Sequence, residues 1–176
     1  YQYAPGTTSL VTHCTIAGNS GGGVRLNNMN ASFPALATIS YRNCIVSNNA
    51  PGGPGVHFVG NPPNVAATFE NCVIVTNGYG SSDWGCGIYL AGANATNILF
   101  RNCLIANNKS GYNQSAHGGG VTMLAGVLDN CTIVSNQAGK AGGCGGIYYT
   151  GGAITNSIIY YNLSSGGAVS NLAGTG

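Results

Sequence analysis

Nothing limits the fold of this chain as tightly as the stretch Asn130-Cys131-Thr132-Ile133-Val134-Ser135-Asn136, because its outline occurs in six copies. The others are His13-Cys14…Asn19, Asn43-Cys44…Asn49, Asn71-Cys72…Asn77, Asn102-Cys103…Asn108 and Asn156-Ser157…Asn162. In every copy an Asn follows the Cys/Ser position by five residues, and those positions lie 30, 28, 31, 28 and 26 residues apart. A period of this size marks an architecture in which each unit buries its apolar face only by stacking on its neighbours.

Each copy carries three apolar segments. The strand before the Cys ends inward on Val11, Tyr41, Phe69, Phe100, Leu128 and Ile154 in turn. The Cys opens a second strand. Alternation puts on its face the β-branched residue two further on: Ile16, Val46, Ile74, Ile105, Ile133 and Ile159. After a loop of variable length a third strand starts at Gly23-Val24, Gly55-Val56, Gly87-Ile88, Gly120-Val121, Gly146-Ile147 and Ala168-Val169. A sandwich does not return one residue type at one phase six times. A parallel β-helix does, because equivalent residues stack at roughly 4.8 Å along its axis. The expectation is therefore all-β: a parallel β-helix (solenoid) of about six coils with three short strands per coil. It forms a single domain over 1–176, part of or cut from a longer chain.

The Asn before each Cys suits a sharp bend in the left-handed region, which Asn tolerates better than most residues. Stacked amides there can hydrogen-bond from coil to coil. The Asn five residues after the Cys is expected to end the second strand in the same way. The Gly pair before the third strand gives a turn where a Cβ would clash.

Of the 176 residues, five are Lys or Arg, three are Asp or Glu and 30 are Gly, for a net charge of +2. That leaves no basic patch for nucleic acid and no acidic tail for a cationic partner. No run of 18 apolar residues offers a membrane span. Five of the seven Cys occupy the repeat position, there is no CxxC pair and His is scarce, so neither zinc nor another cofactor is expected. A Cys recurring once per coil reads as a small buried hydrophobe, which Ser157 replaces in the last copy.

The Asn-Cys-x-Ile-x-x-Asn…Gly-Gly-Val pattern, from about Leu10 to Leu172, resembles the right-handed parallel β-helix repeats of large bacterial secreted and cell-surface proteins. The last copy, Asn156-Ser157-Ile158-Ile159-Tyr160-Tyr161-Asn162, is similar to the closing repeat of surface β-helix proteins that carry C-terminal anchors. Gly151-Gly152-Ala153-Ile154 resembles the Gly-Gly-Ala-Ile motif of polymorphic outer-membrane proteins. The resemblance implies a right-handed coil and a secreted or cell-surface setting. It specifies fold far more than function.

Pectate lyases and many glycosidases share that fold, but they need paired carboxylates or an acidic cluster for calcium. This chain offers only Glu70, Asp83 and Asp129. The outward residues two before the Cys read Thr12, Arg42, Glu70, Arg101, Asp129 and Thr155, so stacking places each acid beside an Arg. This is a salt-bridge ladder that sets register, and it leaves Asp83 alone. His13, His57 and His117 fall at different phases and form no catalytic constellation. No catalytic residue is assigned.

Two surfaces remain. Tyr79, Asp83, Trp84, Tyr112, Asn113, Gln114 and His117 lie on the loops of neighbouring coils, where they either cover the solenoid or form a carbohydrate-binding or -degrading groove. The outward positions of the second strand read Thr15, Ile45, Val73, Leu104, Thr132, Ile158 and, two further on, Ala17, Ser47, Val75, Ala106, Val134, Tyr160. Such an apolar stripe is rarely left open, so a loop of the chain or another copy is expected to cover it. Tyr1 and Tyr3 crowd one end, and Tyr148, Tyr149, Tyr160 and Tyr161 the other. Two functions follow. One is a non-catalytic structural protein that binds copies of itself, end to end or laterally, in a fibre or array. The other is a carbohydrate-active β-helix. Of the Asn-x-Ser/Thr sites, Asn130 is expected to be unreachable in its bend.

Overall fold

The structure, a computed structural model, describes residues 8–27, 37–50, 53–59, 65–78, 86–90, 95–112 and 118–174. The chain winds through three parallel sheets, each six strands deep. Sheet one stacks Thr8–Thr12, Ala37–Arg42, Val65–Glu70, Ile98–Arg101, Val127–Asp129 and Ala153–Thr155. Sheet two stacks Thr15–Ala17, Ile45–Ser47, Val73–Val75, Leu104–Ala106, Thr132–Val134 and Ile158–Tyr160. Sheet three stacks Val24–Asn27, Val56–Val59, Ile88–Leu90, Val121–Met123, Ile147–Tyr149 and Leu172–Gly174. Each strand pairs only with the equivalent strand one coil away, so the period in the sequence is the period of the structure.

Register places like on like. Val11, Tyr41, Phe69, Phe100, Leu128 and Ile154 form one file. The rings of Tyr41 and Phe69 stack with centroids 4.6 Å apart, and those of Phe69 and Phe100 at 4.5 Å. Such stacks contribute about 0.5–1.5 kcal/mol per pair beyond area burial. A second file holds Ile16, Val46, Ile74, Ile105, Ile133 and Ile159. Cys44, Cys72, Cys103 and Cys131 lie buried in the same core cluster, as the repeat predicts. Their thiols donate to the carbonyl two residues back, as in Cys44 Sγ to Arg42 O at 3.2 Å and Cys103 Sγ to Arg101 O at 3.3 Å. Ser157 reproduces this bond to Thr155 O at 2.7 Å, so a hydroxyl can replace the thiol.

The bend before each Cys is left-handed, with φ of 50–54° at His13, Asn43, Asn71, Asn102, Asn130 and Asn156. The amides of this bend form an outer ladder. Asn71 Nδ2 donates to Asn43 Oδ1 at 3.3 Å, Asn102 to Asn71 at 3.1 Å and Asn130 to Asn102 at 2.7 Å. His13 ends it by accepting Asn43 Nδ2 at its Nε2, which puts the ring proton on Nδ1, beside Thr12 Oγ1.

The second bend differs from expectation. Its left-handed residue is the one before the Asn: Gly18, Asn48, Thr76, Asn107, Ser135 and Tyr161. The Asn itself turns inward, and Asn49, Asn77, Asn108, Asn136 and Asn162 are all at most 1 % exposed. Asn136 shows why. Its Oδ1 accepts the backbone N–H and the Nδ2 of Asn108, and its own Nδ2 donates to Asn162 Oδ1 and to Ile105 O. Each amide thus satisfies its own polar atoms and the backbone of a neighbouring coil, which a buried amide must do to be tolerated. The Gly row before the third strand follows from this ladder. A Cβ on Gly87 would lie 2.6 Å from Asn108 Nδ2, and one on Gly55 would lie 2.7 Å from Asn77 Nδ2.

The last coil also departs from the expected phase. Its third strand is Leu172–Gly174, not the segment starting at Ala168-Val169. Residues around Val169 instead fold back antiparallel onto Leu163, with Ser164 N–H bonded to Ala168 O at 2.8 Å. The three extra residues bring Asn171, not Ala168, to the position of Gly146.

Candidate interaction surfaces

The corner between sheets one and two carries the charges. Thr12, Arg42, Glu70, Arg101, Asp129 and Thr155 are in register on the outside. Arg42 Nε lies 3.2 Å from Glu70 Oε2, and Arg101 Nε 3.1 Å from Asp129 Oδ2. Asp129 Oδ1 also accepts Thr155 Oγ1 at 3.0 Å and Asn156 Nδ2 at 3.1 Å. Hydrogen bonds from Asn156 and Thr155, with the Arg101 guanidinium, hold its carboxyl below the usual carboxylate range. Both carboxylates are therefore engaged with arginines, as the ladder predicts. Asn156 turns to Asp129 and leaves the outer ladder to end at Asn130. Contrary to expectation Asn130 is exposed, whereas Asn108 and Asn162, in two other glycosylation-type sequons, are buried. A shallow depression of about 350 Å³ lies here, lined by Asn102, Cys103, Leu104, Asn130 and Thr132. Among the described residues no group of three or more His, Cys, Asp or Glu converges as a metal site.

Sheet two presents the apolar stripe. Its first row runs Thr15, Ile45, Val73, Leu104, Thr132, Ile158 in register. Ile45 is 42 % exposed, Leu104 37 % and Ile158 63 %. Val73 is half-buried between Ile45 and Leu104. The second row is not uniformly open, as had been expected: Ser47 and Ala106 are buried. Ala106 sits between Val75 and Val134, and Ser47 is beside Val75, so larger neighbours one strand away roof over the small side chains. Tyr160 closes this row, exposed, with its ring 6.0 Å from that of Tyr161, also exposed.

The tyrosines of the last two coils divide between two sheets. Tyr149 packs inward against the core and its hydroxyl donates to Gly152 O at 2.9 Å. Tyr148 is half-buried on the outer side of sheet three, and Tyr160 and Tyr161 belong to sheet two and its bend. Tyr1 and Tyr3 lie outside the described residues.

Of the loop surface, Tyr112 alone is described, 60 % exposed, with Lys109 Nζ 5.7 Å from its ring centroid. Tyr79, Asp83, Trp84, Asn113, Gln114 and His117 fall outside the described residues. The outer side of sheet three holds a feature that alternation alone does not reveal. Tyr89 and Thr122 alternate with core residues, yet they are 6 % and 0 % exposed. Gly118 N–H bonds to Thr122 Oγ1 at 2.9 Å, and the buried Cys86 Sγ donates to Ile88 O at 2.7 Å. Burial pushes the Cys86 thiol up to about 12 and the Tyr89 phenol to about 12. The available signal was the pair of Cys off the repeat phase, Cys86 and Cys144, both buried here in glycine-rich segments.

Three parallel sheets, one strand per coil in each, and a core of in-register files define a parallel β-solenoid repeat protein. Residues 8–175 match the family model described as right handed beta helix region. The chain belongs to that family, and its fold is the right-handed β-helix. No curated protein and no solved structure gave a significant match.

Proposed function

We propose that this chain is a non-catalytic structural β-helix that associates with copies of itself through the outer face of sheet two. The line of Ile45, Leu104 and Ile158, exposed on one flat face, carries the reading. Neither row of that face contains a charged residue, although Arg42, Glu70, Arg101 and Asp129 stand on the neighbouring corner. A second copy presents the same rows at the same strand spacing, roughly 4.8 Å, so the two faces can interdigitate along their length. Such a self-complementary contact makes a pair; a fibre or array needs a second contact of another kind. Lateral pairing is favoured over end-to-end stacking because the fold-back of residues 168–171 occupies the corner above Asn162. The secreted or cell-surface setting rests on the likeness to such β-helix repeats.

The test is the mass of the purified chain in solution, by sedimentation and light scattering, with negative-stain images for larger assemblies. Ile45→Lys, Leu104→Lys and Ile158→Lys should each weaken association while far-UV circular dichroism is unchanged. A chain that is monomeric at all concentrations, or whose assembly ignores these changes, would sink the reading. The exposed Tyr112 with Lys109 against its ring favours a second reading, a carbohydrate contact on the loop side. Retention on polysaccharide resins that is lost in Tyr112→Ala would support it.

A further inference from the structure

We infer that Cys14 and Cys44 are a disulfide-forming pair that staples the first coil to the second under oxidising conditions. Thr15 is in register with Ile45, and Ile45 N–H bonds to Cys14 O at 2.9 Å, so the two cysteines occupy equivalent places just before adjacent strands. Strand spacing of roughly 4.8 Å lies within the Cα separation that disulfides span. Both thiols aim the same way, each donating at 3.2 Å to the carbonyl two residues back. Cys44 Sγ also leans toward the first coil, 3.6 Å from Val11 O.

Access singles out this pair from the rest of the column. Cys14 is exposed, whereas Cys44, Cys72, Cys103 and Cys131 are at most 2 % exposed. Among the described residues, the strand that follows Cys14, Thr15–Ala17, is at the edge of its sheet, so it can tilt to bring the sulfurs together. Deeper cysteines are held by strands on both sides.

The chemistry is thiol–disulfide exchange with a low-molecular-weight disulfide such as oxidised glutathione. The Cys14 thiolate attacks one sulfur of the reagent, whose S–S bond breaks and releases one glutathione thiol. The Cys44 thiol then attacks Cys14 Sγ, its proton passing to the departing glutathione sulfur, and expels the second glutathione thiol. Two protein thiols are oxidised, and one reagent disulfide is reduced to two thiols.

The test incubates the folded, reduced chain with oxidised glutathione, quenches with an alkylating reagent and maps tryptic peptides. Cleavage at Arg25 and Arg42 separates Cys14 from Cys44, and fragmentation distinguishes Cys44 from Cys72 and Cys86. The expected result is two fewer alkylatable thiols, a Cys14–Cys44 cross-linked peptide and a raised melting temperature. In Cys14→Ser, an exposed position already Ser in the last coil's equivalent, all three effects should vanish while the reduced fold persists. A Cys14 glutathione adduct that never resolves, a link to another cysteine, or a full complement of thiols would each overturn the inference.

Discussion

Asn171 Oδ1 accepts both the backbone N–H and the side-chain Nδ2 of Asn162, at 3.0 and 3.1 Å. Every earlier inner Asn receives this same pair of bonds from the coil before it, as Asn49 does from Asn19. Asn171 therefore stands where the Asn of a further coil would stand, nine residues away in sequence rather than 26 or more. The inner ladder donates toward the C-terminal coils and the outer ladder donates toward the N-terminal ones.

The position of an amide within the inner ladder sets its worth. Asn136→Ala strips a partner from the Asn108 N–H and from Ile105 O and leaves Asn108 Nδ2 with Ile74 O, so it should cost about 2–6 kcal/mol at about 1–3 kcal/mol for each of the first two. Asn171→Ala affects only the last coil and should cost about 1–2 kcal/mol. Urea unfolding of both variants measures the order; equal costs would refute the ladder account.

Thr76 adopts φ 59°, a left-handed conformation that strains a β-branched residue. Asn48 and Asn107 hold the same place in the flanking coils. Thr76→Asn should therefore stabilise the protein by roughly 1 kcal/mol, the scale of the left-handed penalty. A melting temperature at or below that of the parent chain would contradict it.

Phe100 is fully buried, stacked on Phe69 on one side and in register with Leu128 on the other. Phe100→Ala opens a cavity between two fixed rungs that cannot close without breaking register. A loss of about 3–5 kcal/mol is expected by chemical denaturation, against less than about 1.5 kcal/mol for Phe100→Leu, which keeps most of the volume.

The alkaline limit of stability should report Cys86. Its thiol is raised from 9.0 to about 12 in the folded chain, so the folded state keeps a proton that the unfolded state gives up. The stabilisation is complete below pH about 9 and is lost as pH rises toward about 12. Tyr89, raised from 10.0 to about 12, adds a fall of the same sign. Urea midpoints across this range should decline, and Cys86→Ala should flatten the decline whatever its cost at neutral pH.

The aromatic file, the Ile file, the cysteine column and the alternating charges could all be read from spacing alone. Parallel in-register stacking brings together residues one period apart, so any contact between equivalent positions is written in the period. The left-handed bend before each Cys was legible too, because Asn or His occupies it each time. The second bend was not, because Gly, Asn, Thr, Asn, Ser and Tyr succeed one another there and share no side-chain type. The conspicuous Asn beside it is buried for its hydrogen bonds, not for its backbone angles.

Repetition along the chain thus determines the coil, its core and its register. Exposure was settled only in three dimensions. Ser47 and Ala106 are buried because the residues beside them, 28 or 31 positions away, are larger. Thr122 is buried because Gly118 crosses it, and the last strand shifts because Asn171 reaches Asn162. These outcomes depend on the sizes of side chains in adjoining coils and on loops of unequal length, neither of which obeys the repeat.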